Sequence, residues 1–236
     1  MSSYHDPIIE LDKVTFSYPR QNDHLIVNMD IAFSGGQFIG LLGANGSGKT
    51  TILKLLSGFL RPSSGVVRLW GRDMRTYKNR DRAKLICYLP QILDMNIPFK
   101  VKELVSMGLY PYEIMPELTI DEALDMVGLR EKADMNLTNL SGGERRRAFI
   151  AMTLLQGAGI LLLDEPLANL DIKYQIELLR MLQELRDKKG ITIIMALHDI
   201  NMAFKFERII LIKEGRILYS GLPEVALTKE KIREAF

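Results

Sequence analysis

The apolar run Phe38-Ile39-Gly40-Leu41-Leu42 leads into Gly43-Ala44-Asn45-Gly46-Ser47-Gly48-Lys49-Thr50. After it comes Thr51-Ile52-Leu53-Lys54-Leu55-Leu56-Ser57-Gly58-Phe59-Leu60, whose apolar residues recur at helical spacing before Pro62. Buried strand, glycine loop and helix, in that order, let a backbone wrap a polyphosphate, because the loop N–H groups and the helix N-terminus supply donors and partial positive charge. The loop matches G-x-x-x-x-G-K-[ST] at every fixed position. Lys49 is placed to reach the β- and γ-phosphates, and the Thr50 hydroxyl to ligate Mg²⁺. A glycine-rich turn with an accidental lysine is the alternative, and the flanking strand and helix argue against it.

The remaining chain alternates between buried β-runs and helices. Ile8 to Tyr18 ends at Pro19 and reads as an edge strand or hairpin arm, with Val27 to Phe33 as its partner, and Gly65 to Gly71 reads as a further strand closed by a turn. Leu85 to Leu89 is another strand, ending at Pro90-Gln91. Val101 to Gly108 and Asp121 to Gly128 read as amphipathic helices, each with a C-terminal glycine, inside what looks like an inserted helical lobe. The apolar runs 160–163, 191–196 and 208–212 return as strands, with a helix over Lys173 to Lys189 and a late hairpin turn at Gly215. This alternation implies an α/β fold with a mostly parallel sheet covered on both faces.

Totals narrow the class. With 31 basic and 29 acidic residues the net charge is +2, so no global field points to nucleic acid. The single cysteine, Cys87, excludes an internal disulfide framework and fits a reducing compartment. The N-terminus around Tyr4, His5 and Asp6 does not read as a secretion signal. The uncharged run Ala148 to Leu163 is short for a bilayer and is broken by Gln156, Gly157 and Gly159, so it reads as a helix followed by a strand.

A second anion site is expected at Leu140-Ser141-Gly142-Gly143-Glu144. Ser141 and Glu144 have capping-box spacing ahead of a helix beginning near Glu144, and the glycines leave the backbone open to a ligand. A merely well-capped helix is the alternative. Ile160-Leu161-Leu162-Leu163-Asp164-Glu165-Pro166 places two carboxylates at the C-terminal end of a buried strand, where open α/β sheets bind ligands. Asp164 suits a partner of Mg²⁺ standing behind its direct ligands, and Glu165 a group that orients and polarises water. His198 follows the next core strand and emerges at the same sheet edge, within reach of a γ-phosphate.

These residues together resemble the ATP-binding cassette (ABC) family across nearly the whole chain. The matching motifs run in order: Tyr18 as adenine-stacking aromatic, Gly43 to Thr50 as Walker A, Gln91 as Q-loop and Leu140 to Glu144 as signature. Asp164-Glu165 follow as Walker B and catalytic glutamate, then Ala168-Asn169-Leu170-Asp171 as D-loop and His198 as switch histidine. The resemblance implies a P-loop NTPase (RecA-like) core with an N-terminal antiparallel β-subdomain and an inserted α-helical subdomain. It makes residues 1–236 one domain, with the helical part at about 92–154. ATP would bind Tyr18, the loop through Thr51, and Ser141 to Glu144 of a second copy arranged head to tail. Glu165, His198 and Lys49 would be catalytic, and Mg²⁺ would sit on Thr50 and Gln91 with Asp164 behind. Stacking of adenine on Tyr18 would contribute about 1–3 kcal/mol; a plain strand-end tyrosine is the alternative.

Within the family, Val101 to Tyr112 is similar to the segment after the Q-loop in importers of iron–siderophore, haem and cobalamin, with zinc and manganese importers as close relatives. Tyr110-Pro111-Tyr112 reads equally as a permease contact or a helix-terminating turn. The resemblance implies integral permease partners, an indirect link to a substrate-binding protein, no nucleic acid, and a cytoplasmic position on the inner face of the membrane. The stretch from Tyr112 to Leu140 is short for the siderophore group, and relatives often continue beyond Phe236. Arg146 stands where the signature helix commonly has glutamine, Met152-Thr153 where arginine and alanine are usual, and Leu167-Ala168 where threonine and serine begin the D-loop. These departures spare the catalytic groups, so activity is expected to survive. A soluble ABC ATPase acting on nucleic acid or ribosomes would usually carry two cassettes or a long coiled coil, and a P-loop kinase gives no reason for the signature or His198.

Overall fold

The computed structural model describes residues 7–19, 24–91, 98–113, 118–168 and 170–236. Tyr4, His5, Asp6 and Asn169 lie outside the described residues. The strands are β1 (Ile9–Phe16), β2 (Ile26–Phe33), β3 (Phe38–Leu42), β4 (Ser64–Leu69) and β5 (Arg72–Asp73). They continue as β6 (Ile86–Leu89), β7 (Ile160–Asp164), β8 (Thr192–Leu197), β9 (Arg208–Lys213) and β10 (Arg216–Gly221). Two sheets result. A six-stranded sheet has the order β10-β9-β3-β8-β7-β6, parallel except for the β9–β10 hairpin. A four-stranded antiparallel sheet has the order β2-β1-β4-β5.

Period-2 alternation sorts the core strands between two apolar clusters, one on each face of the large sheet. Ile160 and Leu162 of β7, Ile194 and Ala196 of β8, and Ile39 and Leu41 of β3 pack with the antiparallel sheet and the helix after the glycine loop. Leu161 and Leu163, Ile193 and Met195, and Phe38 and Leu42 pack with the helices of residues 101–155 and with helix Ile172–Lys189. Burial on both faces is why these strands read as unbroken apolar runs.

Three expectations are corrected. The strand β1 pairs antiparallel with β2 as expected of a hairpin arm, but β4 flanks its other side, so it is interior and not an edge. Pro19 lies beyond its last residue and so removes no ladder donor. The loop helix spans Lys49–Leu56 and stops well before Pro62. Ser57 N–H donates to Leu53 and Gly58, at φ 71°, turns the chain out through the left-handed region. Gly128 (φ 66°) is a helix-ending glycine as expected, but Gly108 has no positive φ. Its reason is close approach: a Cβ there would lie 2.3 Å from the Met152 carbonyl oxygen. The 3-10 turn Met107–Leu109 after helix Val101–Ser106 therefore packs on helix Gly142–Leu155 through a backbone contact. Gly108→Ala is expected to destabilise the protein by about 1–3 kcal/mol, as overpacking does, read from urea unfolding; an unchanged midpoint would show that this contact has slack.

Candidate active site

The glycine loop joins β3 to the helix that begins at Lys49, and its shape is set by contacts from far along the chain. A Cβ at Gly43 would fall 2.1 Å from the Ile212 carbonyl oxygen of β9. At the tip of the β9–β10 hairpin, Gly215 donates its N–H to the Ser47 carbonyl (2.9 Å), and a Cβ there would meet Leu25 O at 1.6 Å. Gly46 (φ 80°) and Gly48 (φ 108°) take conformations that a side chain would strain. No side chain caps the helix at Gly48, so its first N–H groups face an open cleft of about 330 Å³. The cleft is lined by Leu25, Asn45 to Thr51, Gln91 and Glu165.

Lys49 is buried, and its Nζ donates to the carbonyls of Gly43 (2.8 Å) and Ala44 (3.1 Å). Desolvation lowers its pKa, opposed by the charges of Glu165 and Asp164. A buried ammonium hydrogen-bonded to its own loop's carbonyls is a ready counter-charge for a polyphosphate. Asp164, at the end of β7, is also buried, and its two oxygens are both engaged. The Thr50 hydroxyl donates to Oδ1 (2.9 Å) and the Tyr88 hydroxyl to Oδ2 (3.0 Å). Burial, and then the Asp164 charge, push the Tyr88 phenol well above its usual pKa, so it stays a donor. Glu165 follows at φ 46°, a region that costs a non-glycine residue about 1–3 kcal/mol and is tolerated where function fixes the backbone. Its Oε2 accepts from Gln91 Nε2 at 2.8 Å.

The structure thus gathers Asn45 to Thr51, Gln91, Asp164 and Glu165. Tyr18 sits beside them: its ring packs edge-on against Phe16 and its hydroxyl bonds Thr51 Oγ1 (3.1 Å). His198 follows β8 and is exposed, outside the cleft lining. The capping box forms as predicted. Ser141 Oγ accepts from Glu144 N–H (3.3 Å), and Glu144 Oε2 accepts from Ser141 N–H (3.0 Å). The helix starts at Gly142, two residues earlier than expected. Neither Ser141 nor Gly142, Gly143 or Glu144 lines the cleft of its own chain, and Ser141 and Gly142 are exposed. Asp171 occupies the N-cap of helix Ile172–Lys189 without a side-chain cap bond.

Sequence reasoning missed Tyr88 and Leu25. Tyr88 had a signal: it is the one polar-tipped side chain in β6, whose parallel neighbour β7 ends in Asp164. Leu25 had none, being placed by the hairpin contact.

A strand–glycine loop–helix beside a buried acid and a strained glutamate defines a P-loop nucleotide hydrolase. The chain belongs to the ABC transporter family, whose sequence pattern matches residues 26–168. It is 38% identical to the petrobactin import ATP-binding protein FpuC of Bacillus anthracis, over 97% of this chain and 86% of that protein. It is 40% identical to the hemin import ATP-binding protein HmuV of Rhodopseudomonas palustris strain HaA2, over 90% of this chain and 84% of that one. In three dimensions it is similar to cbiO1 of Clostridium perfringens, part of the ABC transporter complex cbiONQ (TM-score 0.86, 28% identity, 98% of this chain and 94% of that one). As a member of this family the chain binds ATP and is an ATPase.

Tyr88→Phe keeps the ring volume but deletes a hydrogen bond to a buried carboxylate. A loss of about 1.5–3 kcal/mol in urea unfolding is expected, the usual worth of a bond to a charged group. An unchanged midpoint would show that the Tyr88 hydroxyl does not hold Asp164.

Proposed function

We propose that this protein is the ATP-hydrolysing subunit of an importer for iron–siderophore, haem or cobalamin. The observation that carries the chemistry is the convergence of buried Lys49, the bare helix N-terminus and Glu165 on one cleft. The loop amides and Lys49 bind the phosphates and steady the charge that develops on the γ-phosphoryl group. Glu165, released from Gln91, orients and polarises the attacking water. His198 supports the γ-phosphate from the neighbouring strand end, and Tyr18 stacks on adenine once its hydroxyl leaves Thr51.

A divalent cation fits this site. Asp164 is a buried carboxylate whose partners are hydroxyls, and Thr50 and Gln91 offer the hard oxygens that Mg²⁺ prefers. Among the described residues no three His, Cys, Asp or Glu side chains gather to hold a metal. Thr50 and Gln91 would hold the ion, with Asp164 behind them. Bound there, it would neutralise charge on the β- and γ-oxygens.

The signature tip, Ser141 to Glu144, needs a second copy. It is an exposed helix N-terminus that takes no part in its own chain's cleft, so a head-to-tail pair would let each tip close over the other's ATP, with Asp171 at the seam. Residues 1–236 act as one cassette in this reading, the helical part at about 92–154 facing a membrane permease. No helix among the described residues is long and apolar enough to cross a membrane. In this reading attachment at the inner face runs through that permease, and a binding protein delivers the cargo. The named cargoes of the relatives favour an iron chelate or haem; a zinc or manganese importer is the second reading, from the resemblance in residues 101–112. The near-neutral charge gives no support to a nucleic-acid partner.

Glu165→Gln is expected to retain ATP affinity but to slow turnover by roughly 10²–10⁴-fold, the usual worth of a positioned base. In MgATP that variant should run as a dimer in size-exclusion chromatography with light scattering. Wild-type turnover would remove Glu165 from its role, and a monomer would remove the paired arrangement.

A further inference from the structure

Arg146 lies in the second turn of helix Gly142–Leu155, and none of the hydrolysis roles above uses it. Its guanidinium is half-buried, desolvation lowers its pKa, and among the described residues no carboxylate pairs with it. Backbone carbonyls surround it instead. Nη1 donates toward Pro166 O, the nearest, and toward Glu165 O (3.5 Å) and Ala168 O (3.4 Å). Nη2 donates to Gln91 O at 3.3 Å. One planar group therefore ties the backbone of Gln91 to that of Pro166, the residue directly after Glu165, and the side chains of Gln91 and Glu165 bond each other across the cleft at 2.8 Å.

We propose that Arg146 is a positioning residue for ATP hydrolysis, fixing Gln91 and Glu165 relative to each other by tying the main chain at Gln91 to that at Pro166. Glu165 needs such support, because its left-handed backbone persists only where surrounding contacts over-determine it. The turn that follows is closed by Ala168 N–H to Glu165 O (3.2 Å) and Leu170 N–H to Leu167 O (3.4 Å). Gln175 Nε2 holds Leu167 O (3.1 Å) from helix Ile172–Lys189, and Arg146 supplies the other side. The bridge requires a guanidinium. Its donors leave a rigid plane in several directions, whereas an ammonium concentrates its donors at one point and a glutamine amide has two donors on a shorter stem. The inference rests on the reading of Glu165 as the water-positioning group, so that reading is tested alongside it.

The experiment measures kcat, KM for ATP and thermal midpoint in the full chain for wild type, Arg146→Lys, Arg146→Met, Arg146→Ala and Glu165→Gln. Arg146→Lys and Arg146→Met are expected to lower kcat by about tenfold or more with KM within about threefold, since the phosphate-binding loop is untouched. Millimolar guanidinium should restore part of the Arg146→Ala rate, and methylammonium at the same concentration should not. Should Arg146→Met be too unstable to assay, Arg146→Lys keeps the cation and the stem and answers the question alone. Wild-type kcat in Arg146→Lys beside an inactive Glu165→Gln overturns the assignment of Arg146 and leaves the hydrolysis site standing. A fall in kcat matched by a rise in KM and a lowered midpoint, without guanidinium rescue, marks a purely structural residue and also overturns it. An active Glu165→Gln instead sinks the underlying reading.

Discussion

The hydrogen bond from Thr50 Oγ1 to Asp164 Oδ1 spans the sheet. The strands that lead to its two ends, β3 and β7, are not neighbours, because β8 lies between them. Two residues far apart in sequence reach 2.9 Å only when β3, β8 and β7 are in register, as the pairings Leu41↔Ala196 and Asp164↔Ala196 make them. A shift of one residue along β7 would turn Asp164 to the opposite face of the sheet, away from Thr50. The site is thus a readout of sheet register, and the two apolar clusters that enforce the register are its foundation.

Electrostatics follow from that placement. Lys49 and Asp164 are both buried at the same sheet edge, yet each is satisfied by neutral partners: carbonyls for the ammonium, hydroxyls for the carboxylate. A charge solvated by protein dipoles is held in place without being cancelled. It remains available to a ligand that brings stronger charges of its own.

Much of this is legible in the sequence alone. Residues 43–50 carry their meaning locally, because the glycines, the lysine and the threonine act through the loop's own backbone and the helix that follows. Asp164 and Glu165 are legible because two acids directly after a run of buried leucines are costly there unless a charged ligand meets them. The capping box at Ser141 is legible because its spacing is local, like that of the glycine loop. What the sequence hides are the contacts between segments. Tyr88 looks like one more strand residue until β6 is paired with β7, and Gly108 looks like a helix cap until Met152 is set against it. Arg146 is visible as a departure from the family, but its purpose depends on carbonyls supplied by two other loops. The interior position of β1 is lost because Pro19 suggests an edge, and a proline beyond a strand's end says nothing about its flanks.

The hairpin tip at Glu214-Gly215 has a bearing on how such motifs can be moved between proteins. Its amide rests on Ser47, and its missing side chain makes room for Leu25. The curvature of the phosphate cradle is therefore moulded by chain that is synthesised long after the loop itself. Grafting residues 43–50 onto another strand and helix would transfer the letters of the motif but not its mould, and a ribosome-bound chain lacking the hairpin would hold an unfinished cradle.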